Sequence, residues 1–275
     1  MRIPGFPITD DHMHLDPENG RGLDAAKDFQ RAGGTHLFLV SKPASSFRIV
    51  PGRGEDYLPV FDETLRIAEM VRELGLVVFP ILGVHPAEIS TLSAEFSPAR
   101  AGEIMEEGLL LASRYVEEGR AVGLKSGRPH YEVSPDIWTV SNEVLSYAFD
   151  LAASCGCAVQ VHAESGPCTD MVGMARKAGL PPEKVVKHYA TPDTPLTPSF
   201  IARDPAIPDL AALRRAFTME SDYMDENSRP GAVIGPKSVP RITRKLLESG
   251  EISEESVFRI HTETPSRVYG VEISL

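Results

Sequence analysis

The residues best suited to chemistry come early in the chain, in the stretch Asp10-Asp11-His12-Met13-His14. In a β-strand, residues two apart face the same side, so this spacing brings Asp10, His12 and His14 to one face. Two imidazoles on one face can share a metal ion, and Asp10 is suited to support them from behind. The alternative is a strand end with two histidines facing solvent.

The other histidines extend this pattern. Five of the chain's eight histidines lie at or just past the C-terminal end of an apolar run, namely His12, His14, His85, His162 and His188. In a (β/α)8 barrel these strand ends share one face, where such enzymes place their chemistry. Imidazoles together with an acid form the ligand set that zinc and related divalent ions prefer. His36 starts a strand and His261 lies near a helix, so we interpret both as structural.

The acid of this predicted site is Asp222, which ends the apolar stretch 217–222. Glu220 shares its face by strand alternation. Because Asp222 is nearer the strand end, we expect it to be the ligand or general base, with Glu220 as its supporting partner. The competing explanation is that Asp222 caps a helix or a turn.

Short apolar runs alternate with amphipathic stretches almost to the C-terminus. The predicted strands are 6–12, 35–40, 76–82, 121–125, 158–162, 184–188, 197–202 and 217–222, and the predicted helices are 23–33, 61–74, 100–118, 136–154, 167–178, 210–216, 239–249 and 254–269. This alternation predicts a parallel α/β architecture, either a barrel or an open doubly wound sheet. A barrel typically needs about 250 residues, so we expect one (β/α)8 (TIM) barrel domain over 1–275. The connection 188–197 is rich in proline and has no helical pattern.

Composition narrows the classes of function. The net charge of −11 disfavours stable binding of duplex nucleic acid. It does not exclude a nuclease, because bound divalent metals reverse the local sign of the field. No run of about 18 apolar residues predicts a membrane span. Three cysteines make no disulfide framework and no secretory signal is visible, which favours a cytoplasmic protein.

Five ordered motifs resemble those of the TatD family of metal-dependent hydrolases, in the amidohydrolase superfamily. They are Asp10-x-His12-x-His14, Gly83-Val84-His85-Pro86, His162, His188 and Glu220-Ser221-Asp222, spread over nearly the whole chain. The segment 223–237 is more similar to an archaeal TatD-related branch than to the bacterial deoxyribonucleases. The resemblance implies a barrel with two divalent metals, zinc first and magnesium or manganese as alternatives. It also implies metal-ligand roles for His12, His14, His162, His188 and Asp222, with His85 beside the substrate.

The sequence departs from this family at the end of the fourth strand. The family usually has a glutamate there that bridges the two metals, whereas aligning on Gly127-Arg128-Pro129-His130 places Lys125 at that position. An ammonium group beside two metal ions would be strongly repelled. Other members of the superfamily carboxylate such a lysine with carbon dioxide, and a lysine with a depressed pKa is suited to that reaction. The hypothesis is a carboxylated, bridging Lys125; its alternatives are a lysine that points away and a missing second metal.

Cationic and polar residues in the loops after the strands are candidates for binding substrate. They are Arg128, His130, Tyr131, Arg229 and Lys237. Arginine and lysine at these positions suit a phosphate or carboxylate group. Each of these cations can equally be a solvated loop residue.

Three functions are compatible with these residues. The first is hydrolysis of a phosphoester or phosphodiester bond in a small or short nucleic-acid substrate. In this reaction Asp222 is the base and His85 binds the oxyanion or protonates the leaving group. The second is hydrolysis of a lactone, ester or amide, which a carboxylated Lys125 favours. The third is a non-catalytic metal-binding barrel. A homo-oligomer is compatible with all three.

Overall fold

The chain forms the predicted alternation of strands and helices. The computed structural model describes residues 5–228 and 233–275. Each of the eight predicted runs overlaps a strand, and a short ninth strand follows the eighth. The strands are β1 Thr9–His14, β2 His36–Val40, β3 Val77–Gly83, β4 Gly123–Gly127, β5 Ala158–His162, β6 Val185–Lys187, β7 Thr197–Ile201, β8 Thr218–Glu220 and β9 Tyr223–Met224. β1 begins later than predicted and runs through His14, so both histidines of the first motif belong to it.

Helices follow most of the strands. They are α1 Leu23–Ala32, α2 Leu58–Arg72, α3 Glu88–Glu95, α4 Pro98–Glu117, α5 Pro135–Cys155, α6 Asp170–Lys177, α7 Ile207–Ala212, α8 Ser238–Glu248, α9 Glu254–Phe258 and α10 Thr264–Tyr269. Helix α3 was not predicted from the sequence. The connection between β6 and β7 contains no helix, as its prolines indicated. Among the described helices, none has the length and apolarity that a membrane crossing requires.

The strands close into a barrel. All strand pairs are parallel, in the order β8-β7-β6-β5-β4-β3-β2-β1-β9. β8 pairs with β7 through Ser199 and Thr218, and β9 pairs with β1 through Met13 and Tyr223. Since β8 and β9 are consecutive parts of one stretch, that stretch joins the two edges of the sheet. The (β/α)8 barrel is therefore confirmed, and the open doubly wound sheet is wrong.

Alternate residues of β2 show how the two faces of the sheet are buried. Leu37 and Leu39 pack outward with Phe29 of α1 and Val71 of α2. Phe38 and Val40 belong to a separate cluster with Ile81, Ala158, Val186 and Tyr269. Because both faces are covered, positions 37–40 of the strand are all apolar, as is usual in parallel strands.

Helix α10 covers the N-terminal end of the barrel. Lys184, which precedes β6, donates a hydrogen bond from its Nζ to the carbonyl oxygen of Val268. The Tyr269 ring lies 4.1 Å from Phe38, and its hydroxyl donates to Asp11 Oδ2 at 3.2 Å. The barrel floor is thus filled by an aromatic side chain, which leaves the opposite end for the histidines.

Two glycines allow close backbone approach where β3 and β4 end. Gly83 has φ +157° and Gly127 has φ +151°, values that other residues rarely adopt. A Cβ at Gly83 would collide with the Lys125 carbonyl oxygen, and one at Gly127 would collide with the His162 carbonyl oxygen. The strand ends that carry Lys125 and His162 therefore depend on glycine next to them.

We predict that Gly127→Ala lowers the free energy of unfolding by about 2 kcal/mol or more, because the new methyl group must displace β5. Gly173→Ala is the matched control. Gly173 lies exposed in α6 with open space around it, so alanine there should be neutral or stabilise by up to about 1 kcal/mol. Urea unfolding of both variants measures the difference, and equal stabilities would contradict this account of β4.

Candidate metal centre

Strand β1 supplies the first pair of nitrogen atoms. His12 Nε2 and His14 Nε2 lie 3.1 Å apart. His14 Nδ1 lies 2.8 Å from the carbonyl oxygen of Val40, which can only accept a hydrogen bond. The proton of a neutral His14 is therefore on Nδ1, and its Nε2 presents a lone pair to the site. The register between β1 and β2 shifts between Asp10 and Met13, and such bulges often aim side chains at functional sites.

Strand β5 and the first residue after β6 supply a second pair of nitrogen atoms beside the first. His162 Nδ1 and His188 Nε2 lie 2.8 Å apart. The rings of His12 and His188 stack with centroids 4.2 Å apart and planes 15° from parallel. Four imidazoles from the ends of three strands therefore meet at the C-terminal end of the barrel.

Asp222 adds a carboxylate to this cluster. It follows β8 in a left-handed conformation with φ +45°, which is strained for a residue with a side chain and is typical of functional sites. Its Oδ1 lies 3.8 Å from His12 Nε2, and donor atoms of His12, His188 and Asp222 all lie within 4.8 Å of one another. Burial raises the pKa of the Asp222 carboxyl to about 6, while Lys125 and Lys187 lower it.

Lys125 reaches the same point from β4. Its side chain is fully buried, with Nζ 3.4 Å from His12 Nε2. Burial lowers the pKa of the amine to about 7, against the opposing effect of Asp222 and Glu220. The sequence alternative in which this lysine points away from the site is therefore wrong.

Burial also keeps the imidazoles neutral. It lowers the pKa of His14 to about 3 and holds the pKa values of His12, His162 and His188 well below the usual range, with further lowering by Lys125. Neutral imidazole is the form that binds metals. The donor set fits divalent ions such as zinc: facing nitrogen pairs, one carboxylate and an amine that is readily neutral.

A cavity of about 310 Å³ opens onto this cluster. His85 lies in its wall, with its ring 4.7 Å from that of His162. His85 Nδ1 accepts a hydrogen bond from the backbone N–H of Ala87 at 3.2 Å, so the proton of the neutral ring is on Nε2. Burial holds the pKa of His85 well below the usual range. His85 is thus a neutral donor at the edge of the cluster, and His130 also lines the cavity.

Two buried acids lie behind these groups. Asp10 Oδ1 accepts hydrogen bonds from the backbone N–H of His12 at 3.2 Å and of Ser221 at 3.0 Å, which ties β1 to the segment carrying Asp222. Glu220 Oε1 lies 3.4 Å from His188 Nδ1 and accepts from the Tyr189 N–H at 2.7 Å. Glu220 is thus placed to orient the His188 ring, whereas Asp10 holds the backbone of His12 and Ser221.

The arginine predicted to bind substrate is engaged elsewhere. Arg128 is buried, donates to Glu164 at 2.8 Å and to Asp170 at 2.6 Å, and lies over the Trp138 ring. These partners raise the pKa of its guanidinium further above the usual range. Arg128 does not line the cavity, so the geometry gives no support to the predicted substrate contact.

Tyr131 and Lys237 also lie outside the cavity wall, whereas His130 lines it. The Tyr131 hydroxyl bonds to Ser90 Oγ at 2.8 Å, and Lys237 Nζ pairs with Asp28 at 3.1 Å. Arg128 and Lys237 thus pair with protein acids. Arg229 lies outside the described residues.

Two residues near the site were not expected from the sequence. Lys187 precedes His188, and its buried Nζ donates to the carbonyl oxygen of His188 at 2.9 Å. Glu88 lines the cavity and accepts from the Tyr57 hydroxyl at 3.0 Å; burial raises its pKa to about 7. Its spacing of three from His85 was the available signal, but α3, which begins at Glu88, was not predicted.

Solved structures share this fold. A single-substitution mutant of an organophosphorus hydrolase from Deinococcus radiodurans has a TM-score of 0.63 at 14% identity, over 97% of this chain and 93% of that chain. A mutant PTE-like lactonase from the same organism has a TM-score of 0.62 at 15% identity, over 97% and 96%. Identities this low support the barrel architecture alone.

Sequence relatives are more informative. The uncharacterized protein MJ1127 of Methanocaldococcus jannaschii is 36% identical over 286 residues, covering 99% of both chains. The family model described as TatD related DNase matches residues 9–208, which include all the strands up to β7 and every histidine of the cluster. With the barrel and the cluster of neutral imidazoles, these matches show that the chain belongs to the TatD-related DNase family of metal-dependent hydrolases.

Proposed function

We propose that this protein hydrolyses phosphoester or phosphodiester bonds in small or short nucleic-acid substrates with two divalent metal ions. One observation carries the proposal: His12, His14, His162, His188, Lys125 and Asp222 converge at one cavity in a chain of this family. His12, His14 and Asp222 would hold one ion, His162 and His188 the other, and Lys125 would lie between them. When bound, such ions lower the pKa of water and polarise the bond to be broken.

The residues of the chain account for the proton transfers. Asp222 carries the cavity carboxylate that lies beside the imidazole cluster, so it accepts the proton of the attacking water as general base. The Nε2–H of His85 donates to the oxygen where negative charge develops. Both groups are half-buried in the cavity wall, so their interactions with the substrate are stronger than they would be in bulk water.

The reactivity of Lys125 follows from its burial. A pKa of about 7 leaves a large share of the amine neutral near neutral pH. The neutral nitrogen forms a bond to the carbon of carbon dioxide and loses a proton, which yields a carbamate of charge −1. That group has two oxygens, as does the glutamate that the family usually has at this position. Carboxylated Lys125 would thus restore the bridging acid.

A second candidate substrate class has a specific observation in its favour. Among the described residues that line the cavity, Lys125 is the only lysine, and there is no arginine. Such a cavity wall offers a polyanion few favourable electrostatic contacts. A lactone, ester or amide needs no cation of this kind, so hydrolysis of an uncharged carboxylic derivative is the alternative.

The first prediction concerns metal and Asp222. Purified protein loaded with zinc or manganese should release nitrophenol from bis(4-nitrophenyl) phosphate, and chelation should abolish the release. Asp222→Asn should lower kcat by at least about 100-fold, because the amide cannot accept the proton. Asp136→Asn, at an exposed position on α5, is the matched control and should leave kcat unchanged.

A panel of lactones and carboxylic esters is assayed in parallel with the phosphodiester. Preference for the panel in kcat/KM would replace the phosphoesterase proposal with the alternative class. Metal binding without turnover of any of these compounds would favour the non-catalytic barrel.

The second prediction concerns Lys125. Protein stripped of metal at low pH and reloaded with zinc and ¹³C-bicarbonate should show one carbamate resonance in its ¹³C spectrum. Lys125→Met should lose the resonance and most of the bound metal. Lys125→Glu should lose the resonance yet keep the metal, since a carboxylate replaces the carbamate.

Lys187→Met provides the matched control, because Lys187 is a second buried lysine whose pKa is lowered by burial. The resonance should persist in that variant. Its persistence in Lys125→Met would contradict the assignment to Lys125.

A further inference from the structure

His162 is contacted on both of its ring nitrogens by other histidines. Its Nδ1 lies 2.8 Å from His188 Nε2, within the cluster described above. Its Nε2 lies 2.7 Å from Nδ1 of His130, which is exposed in the loop after β4. The His130 and His162 rings meet edge to face, with centroids 4.8 Å apart.

The tautomer of His162 determines which ring donates the hydrogen bond between His162 and His130. A neutral imidazole carries one proton, and burial keeps His162 neutral. If Nδ1 binds a metal ion, the proton is on Nε2 and needs an acceptor. Histidines that bind metals nearly always donate this second N–H to a carboxylate, a carbonyl or water, which fixes the ring. Here the nearest acceptor is His130 Nδ1.

The loop around His130 is anchored on both sides. Arg128, two residues earlier, is held by Glu164 and Asp170, and Glu164 follows His162 by two residues. Tyr131 packs its ring edge against His130 and bonds to Ser90 at the start of α3. Arg128 and Tyr131, which line no part of the cavity, thus hold the position of His130.

We propose that His130 is a positioning residue that accepts the Nε2–H of His162 and thereby fixes its Nδ1 toward the metal. This inference rests on the proposed metal centre. It assigns to His130 a role in metal binding, distinct from the substrate contact expected from the sequence.

Two variants of equal size test this role. In His130→Asn, the side-chain oxygen is attached to Cγ as Nδ1 is in histidine, so the acceptor is retained. His130→Leu has the same shape without an acceptor. Cobalt(II) titration by calorimetry measures affinity and stoichiometry, and the visible absorption of the bound cobalt reports its ligand geometry.

We expect His130→Leu to weaken cobalt binding by about 10- to 100-fold and to alter the visible spectrum. The cobalt affinity of His130→Asn should stay within about threefold of the wild-type value, and its spectrum should be unchanged. A merely structural role of His130 would not give this rescue. Thermal unfolding of the metal-free proteins is the control, and both variants should unfold at the same temperature.

Four results would overturn the inference. Equal affinities in the leucine and asparagine variants would remove the acceptor role. Loss of a whole cobalt equivalent in both variants would make His130 a ligand instead. Unchanged affinity with a raised KM in both would restore the substrate contact. A wild-type protein that binds no cobalt would overturn the proposed metal centre and this inference together, which distinguishes the two failures.

Discussion

The desolvation of a cluster of basic nitrogens is the constraint on which the site depends. Water would protonate a group of four imidazoles and a lysine, and the resulting cations would repel one another. Burial at the barrel end lowers the pKa of each group, so that lone pairs rather than protons face the centre. The same burial raises the pKa of Asp222 and Glu220. Burial therefore shifts both the acids and the bases towards their uncharged forms. A bound metal ion would supply the positive charge of the site.

The barrel meets this constraint with backbone geometry at the strand ends. Gly83 and Gly127 let β3 and β4 run close to their neighbours, and the bulge in β1 falls within the motif that carries His12. Asp10 then joins β1 to the segment bearing Asp222 through two backbone N–H groups. The irregular positions of the sheet and the polar residues of the site therefore occur together.

Much of this could be predicted from the sequence, because strand alternation and strand order are short-range rules. They placed His12 and His14 on one face and put His162 and His188 at the same barrel end. These two rules could not predict the contacts of Arg128. Loop position indicates the end of the barrel at which a side chain lies, but its partners Glu164 and Asp170 come from another loop and a helix start. Lys187 was missed because a lysine at the end of an apolar run looks like a solvent-facing position, whereas the backbone carbonyls of Ala163 and His188 bind its Nζ inside the protein.

The first strand has partners from the far end of the chain. Thr9 bonds to His261 through both backbone and hydroxyl, Asp11 bonds to Tyr269, and Met13 pairs with Tyr223. Each of these contacts joins β1 to a residue more than 200 positions later, so the strand lacks these partners until that part of the chain has been synthesised. The histidine motif of β1 therefore waits in an incomplete barrel until the segment that carries Asp222 is present. Assembly of the ligands in this sense follows the synthesis of both partner segments.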